Sequence, residues 1–292
     1  MARASARTDE QRFAGRAAGA DPRAPAAAPE RGGAYIELAG VTMRYGTRQG
    51  TTLALEDIDL TVEREEFVAL VGQSGCGKTT LLRILAGLIR PSDGNVHVAG
   101  RELWRGGSRD DEALRKLGIV FQDAHLFPWY SVQENIALPL RLRGVDKRKR
   151  RERADELSEL VGLSGFERAH PYELSGGMRQ RVAIARALSY DPDILLMDEP
   201  FGALDALTRD RMNLELQRIA AASRATVVFV THSIPEAIFL ADRVVLLSAR
   251  PGRVQSITPV AFERPRSLDV ETTPAFQATV RDLRHQLEEP TP

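Results

Sequence analysis

One stretch constrains this chain more than any other. Gly72-Gln73-Ser74-Gly75-Cys76-Gly77-Lys78-Thr79 follows the apolar run Phe67-Val68-Ala69-Leu70-Val71 with nothing between them. Five consecutive apolar residues read as a strand buried on both faces, so packing layers are needed on each side of a sheet. The eight that follow fit G-x-x-x-x-G-K-[ST]. Their glycines let successive backbone N–H groups turn inward around phosphate oxygens. A helix predicted from about Lys78 to Leu88 adds its positive N-terminal end. Lys78 is placed to reach the β- and γ-phosphates, and Thr79 to offer a hydroxyl to Mg²⁺. Cys76 fills a loop position whose backbone, rather than its thiol, serves the phosphates.

The remaining strands support the same architecture. Tyr35 to Leu38 and the alternating run Leu53 to Val62 read as strands, as does Val96 to Ala99 after a turn at Ser92 to Asn95. Leu117 to Phe121, Ile194 to Met197, Thr226 to Val230 and Val244 to Leu247 read as buried strands, with helical segments between them. Such alternation implies a parallel α/β sheet, and the long helical stretch from about Ser131 to Leu188 is an inserted subdomain. Ile194-Leu195-Leu196-Met197 delivers Asp198 and Glu199 to the sheet edge where α/β proteins bind ligands. Adjacent strand residues face opposite ways, so Asp198 can serve the Mg²⁺ shell while Glu199 addresses an attacking water.

A second phosphate site is written into Leu174-Ser175-Gly176-Gly177-Met178-Arg179-Gln180-Arg181. Ser175 can cap the helix beginning there, and the glycines expose its N–H groups. One γ-phosphate does not need two cradles from one subunit. The economical arrangement puts the second cradle on a neighbouring copy.

With these residues the chain resembles the ABC-ATPase family over roughly residues 35–260. Gly72 to Thr79 is similar to its Walker A, Ile194 to Glu199 to its Walker B with catalytic Glu, and Ser175-Gly176-Gly177 to its signature loop. Gln122 matches the Q-loop, Ala203-Leu204-Asp205 the D-loop, His232 the switch histidine, and Tyr45 the aromatic that stacks on adenine. Met178 and Gly202 depart from the commoner Gln and Ser, without removing a phosphate ligand or the acid.

The resemblance implies a P-loop NTPase core with a mainly parallel sheet, an N-terminal antiparallel β subdomain and the helical subdomain at about 125–188. It implies ATP and Mg²⁺ as ligands. Glu199, His232, Lys78 and Gln122 would be catalytic, and Thr79, Gln122 and Asp198 would hold the metal. Tyr45, Gly72, Gln73, Ser74, Gly75, Cys76, Gly77, Lys78, Thr79, Thr80, Ser175, Gly176, Gly177 and Asp205 would bind nucleotide, the signature residues from a second copy.

Within the family, Pro200 to Arg209 and Ser248 to Arg253 resemble the importer branch for nitrate, sulfonates, taurine and related compounds. That branch implies permease partners, an extracytoplasmic binding protein acting indirectly, and a peripheral place on the cytoplasmic face of the inner membrane. By the same resemblance, Leu126 to Val132 contacts a permease coupling helix. Two alternatives are an exporter or lipid-trafficking ATPase and a soluble ABC ATPase acting on nucleic acid or protein.

Composition weighs against nucleic acid. Lys plus Arg is 40 and Asp plus Glu is 40, where a nucleic-acid binder would show a basic excess. The basic run Lys147 to Arg151 sits beside Glu152, Asp155 and Glu156 and reads as a solvated helix face. No apolar run approaches the ~18 residues that cross a bilayer. Cys76 is the lone cysteine, so no internal disulfide forms. Residues 1–33 are rich in Ala, Arg, Pro and Gly and read as a disordered tail. The ATPase domain is assigned to 34–260 and a C-terminal extension to 261–292. Phe276, Val280, Leu283 and Leu287 there form one face of an amphipathic helix, either a docking helix or one packed on its own domain.

Overall fold

A computed structural model describes residues 34–47, 50–202 and 204–288. The tail expected over 1–33, and Ala203 of the expected D-loop, lie outside these residues.

In chain order the elements are β1 (Ile36–Thr47), β2 (Gly50–Val62), β3 (Phe67–Gly72), α1 (Lys78–Leu85), β4 (Asp93–Val98) and β5 (Arg101–Glu102). A small ribbon, β6 (Trp104–Arg105) and β7 (Ser108–Arg109), precedes β8 (Leu117–Val120). Three helices follow: α2 (Val132–Leu142), α3 (Lys147–Leu160) and α4 (Gly176–Leu188). The rest alternates as β9 (Ile194–Asp198), α5 (Ala206–Ser223), β10 (Thr226–Thr231), α6 (Ile234–Leu240) and β11 (Arg243–Leu247), then β12 (Val254–Pro259) and α7 (Pro274–Glu288).

The main sheet has six strands in the order β12-β11-β3-β10-β9-β8. All neighbours are parallel except β12, which returns antiparallel along β11. A second, antiparallel sheet runs β2-β1-β4-β5. Every residue of β3 and of β10 is buried. The period-two alternation of their side chains divides the core. Phe67, Ala69, Val71, Leu195, Met197, Val227 and Phe229 face one cluster shared with α4, α5, α6 and α7. Val68, Leu70, Ile194, Leu196, Val228 and Val230 face another, shared with α1 and the antiparallel sheet. Each fully buried Leu, Ile, Val or Phe contributes roughly 1.5–3 kcal/mol of transfer free energy. Covering both faces holds the strand ends rigid.

Side-chain caps set where the helices begin. Ser131 and Glu134 make a reciprocal capping box on α2, and Asp146, Ser175, Asp205 and Ser233 accept first-turn N–H groups on α3, α4, α5 and α6. The basic run at Lys147 therefore occupies the exposed first turns of α3, where Arg148 pairs with Glu152 at 3.4 Å.

Some boundaries differ from the sequence expectation. α1 ends at Leu85, because Gly87 takes φ +64° and turns the chain. The turn expected at Ser92 to Asn95 is absorbed into β4, with Gly94 at φ +85° and no space there for a Cβ, which would overlap Gly40 O. β12 carries no apolar signal because its Gln255, Ser256 and Thr258 are polar, and the strand is a half-buried edge. On α7, Phe276, Val280 and Leu283 are buried in the core beside α6 and Leu287 packs partly against it, so the apolar face covers this domain.

Candidate functional site

The β3–α1 turn opens on a cleft of about 550 Å³. Its lining comprises Tyr45, Thr52, Ala54, Ser74, Gly75, Gly77, Lys78, Thr79, Thr80, Gln122, Glu199 and Arg250. Sheet order explains the convergence. β3 lies between β11 and β10, and β10 beside β9, so the C-terminal ends of these strands share one edge.

The turn has no room for larger residues where it is tightest. A Cβ on Gly72 would sit 2.6 Å from Cys76 Sγ and 2.9 Å from Leu247 O; one on Gly77, at φ +106°, would sit 2.6 Å from Leu55 Cδ2. Gly77 is the N-cap of α1 and offers no side-chain cap, so the first-turn N–H groups stay available to an anion. Lys78 is 5% exposed. Its Nζ donates to Gly72 O at 2.9 Å and Gln73 O at 3.1 Å, and lies 3.9 Å from Glu199 Oε1. Cys76 is buried, its N–H donates to Gln73 O, and burial pushes its thiol pKa up, so it is no activated nucleophile. Gln73 points to the C-terminal helix, where its amide donates to Leu287 O at 3.3 Å.

At the end of β9, Thr79 Oγ1 donates to Asp198 Oδ1 at 3.1 Å. Burial raises the Asp198 pKa, with that hydrogen bond working against the shift. Glu199 continues the pairing through its N–H to Val230 O at 2.9 Å but adopts φ +42°. A non-glycine residue in this left-handed region is strained. The departure swings its carboxylate out of the strand, where His232 Nδ1 lies 3.2 Å from Glu199 Oε2. A lysine, a carboxylate and an imidazole thus meet beside the loop. Thr79 and Asp198 meet directly and Gln122 lines the same cleft as Thr79, so the side-chain oxygens available there are hard donors with one carboxylate among them. That suits Mg²⁺, which keeps waters and substrate phosphates as its other ligands.

Tyr45, 36% exposed, forms a cleft wall, with its hydroxyl 3.4 Å from Thr80 Oγ1. Gln122 follows β8 on a loop tied to α4: Gln180 donates to Phe121 O at 3.0 Å, and Arg186 donates to Ala124 O and His125 O. Ser175, Gly176, Gly177 and Asp205 do not line the cleft. Ser175 Oγ accepts from Met178 N, Asp205 Oδ1 accepts from Thr208 N, and Ser175 and Gly176 are exposed. Farther along the loop, buried Asn135 accepts from Phe127 N and donates to Phe127 O, Tyr130 O and Ser131 O. Those bonds hold Trp129 outward, 66% exposed.

Three residues of the lining, Thr52, Ala54 and Arg250, belong to no cleft motif in the sequence. Their presence depends on β2 and the β11–β12 loop folding against the turn, which no local pattern announces.

Comparison with known proteins gives a consistent result. A family model described as ABC transporter matches residues 55–202. An uncharacterized ABC transporter ATP-binding protein of Methanocaldococcus jannaschii is 52% identical over 231 residues, covering 79% of this chain and 84% of that protein. The aliphatic sulfonates import ATP-binding protein SsuB of Bacillus licheniformis is 46% identical over 237 residues, covering 81% and 88%. Among solved structures, a dimeric bacterial ABC transporter cassette aligns with a TM-score of 0.68 at 34% identity, covering 78% of this chain and all of that one. A post-hydrolysis dimer of an ATP-binding cassette bound to ADP and Pi gives a TM-score of 0.68 at 33% identity.

Proposed function

Since the chain belongs to the ABC transporter ATP-binding family and is an ATPase, we propose that it powers import of a small sulfonate-like or related anion through a partner permease. The single observation that carries the chemistry is the cleft uniting Lys78, Thr79, Gln122 and Glu199 at one sheet edge. The import direction and the substrate class rest on likeness to the SsuB proteins.

The mechanism follows from what each group can do. The α1 N-terminus and the N–H groups of Gly75 and Gly77 wrap the phosphates. Lys78 exchanges its carbonyl partners for phosphate oxygens and neutralises charge as it develops. Tyr45 gives adenine an aromatic face. Thr79, Asp198 and Gln122 would hold Mg²⁺, which supplies charge neutralisation at the phosphate oxygens when bound. Glu199 takes up the proton of an in-line water, and His232, hydrogen-bonded to it, orients that carboxylate. Exposed Ser175 and Gly176 complete the triphosphate site of a second copy. ATP then joins two chains, and hydrolysis parts them, because only the triphosphate spans both half-sites.

The outward Trp129, with neighbouring Phe127 and Tyr130, gives a permease an aromatic surface to grip. Among the described residues no helix is long and apolar enough to cross a membrane, so the spanning would fall to that partner. Glu199→Gln is expected to cut turnover by about a hundredfold or more while ATP binding persists; near-normal turnover would remove Glu199 from its role. Reconstitution with the permease and a sulfonate-loaded binding protein tests the transport reading. Sulfonate-stimulated ATPase activity is the expected outcome. Stimulation by DNA, RNA or ribosomes instead would replace it.

A further inference from the structure

The cleft contains a cation beyond Lys78. Arg250 sits on the loop between β11 and β12, and its Nε donates to Gly75 O at 2.9 Å across 175 positions of sequence. A Cβ built on Gly75 would lie 2.9 Å from Arg250 Nη2, so the guanidinium lies directly against the phosphate loop. The loop that carries it is wedged in place. Gly252 N donates to Ala54 O and Glu56 N donates to Gly252 O, both at 3.0 Å. A Cβ on Gly252 would overlap Cys76 O, so nothing larger than glycine permits this approach. Arg253 pairs with Glu56 at 2.7 Å, and Ser248 Oγ donates to Pro251 O at 2.9 Å. Backbone contacts and flanking pairs therefore position the loop, leaving the Arg250 side chain for another task.

Charge indicates that task. Among the described residues no carboxylate pairs with Arg250. The one acid lining the cleft, Glu199, already faces Lys78 and His232. A planar guanidinium has five N–H donors and suits phosphate oxygens; here one donor is used on Gly75.

We propose that Arg250 is a further nucleotide-binding residue, whose remaining guanidinium N–H groups engage the phosphate chain beside Lys78. The assignment rests on the cleft being the ATP site. It also explains the contact with Gly75: the bond aligns the fork with the loop whose N–H groups face the same anion.

The test compares Arg250→Gln, Arg250→Lys and Lys78→Ala in the full chain, with binding of a fluorescent ATP analogue measured across a salt series. Glutamine can still donate to Gly75 O but carries no charge. Arg250→Gln is expected to bind about fivefold to tenfold more weakly, with a shallower salt dependence. Arg250→Lys, which keeps the charge, should recover part of the loss. Arg250 is exposed, so neither change threatens the core. Unchanged affinity in Arg250→Gln, alongside lost binding in Lys78→Ala, would overturn the assignment and leave the cleft reading intact. Undiminished binding in Lys78→Ala would overturn the cleft reading, and this assignment with it.

Discussion

Glu236 shows how one side chain can carry a cost that its surroundings justify. It is 5% exposed. One oxygen shares a hydrogen bond with Thr231 Oγ1, the hydroxyl that also accepts from Ser233 N at 3.0 Å, and the other meets no partner among the described residues. It therefore braces the turn that presents His232. Burial is the largest influence on its carboxyl and raises the pKa; Thr231, Arg209 and His232 act the other way, and the Glu199 charge adds to the rise. A raised folded-state pKa means that the folded chain holds this proton more tightly than the unfolded chain. The associated stability is present below the ordinary glutamate range and is lost as pH rises through the raised value. Glu236→Gln should escape that loss. Its stability relative to the parent is expected to increase between about pH 4 and pH 8 in urea titrations; parallel curves would refute a buried, proton-holding acid. Asp198 and Glu199 are legible in the sequence because they stand at an apolar strand end, and Lys78 because the glycine-rich pattern after β3 fixes its place. Arg250 and Glu236 are not, since their partners are distant in sequence or hidden by the fold.

At the scale of elements, legibility follows burial. β3, β9, β10 and β11 announce themselves as short apolar runs because both faces of the sheet are covered. β12 is a half-buried edge strand and the β6–β7 ribbon is largely exposed, so neither carries such a signal. Nor does the bond between α6 and the C-terminal extension. Arg266 is 4% exposed, and its Nη1 donates to the carbonyls of Ile238, Phe239 and Ala241, each at 2.9 Å. These acceptors end α6 and would otherwise lack partners. Its other nitrogens donate to Phe262 O, and burial pulls its pKa down to about 10, which keeps it charged at neutral pH. Arg266→Leu would leave several buried carbonyls unpaired, and a loss of about 3 kcal/mol is expected by chemical denaturation. A change within about 0.5 kcal/mol would show that water satisfies those carbonyls instead.

For the molecule as a whole, the arrangement of half-sites is decisive. The cleft has its own lysine, carboxylate and helix N-terminus, yet Ser175 and Gly176 stand outside it and face solvent. On the proposed function, self-association on ATP is the expected outcome, as is its loss when the exposed patch is blocked. Ser175→Arg placed in the Glu199→Gln background should bind ATP normally but stay monomeric in mass photometry, where Glu199→Gln alone should pair. Pairing by the double variant would move the second half-site elsewhere. Cys76 offers a practical consequence. The chain's sole sulfhydryl is packed beneath Gly72 and is 1% exposed, shielded from alkylating dyes. A cysteine introduced at the surface would carry the label alone, so separation and approach of two copies can be followed optically in a chain that keeps its native loop.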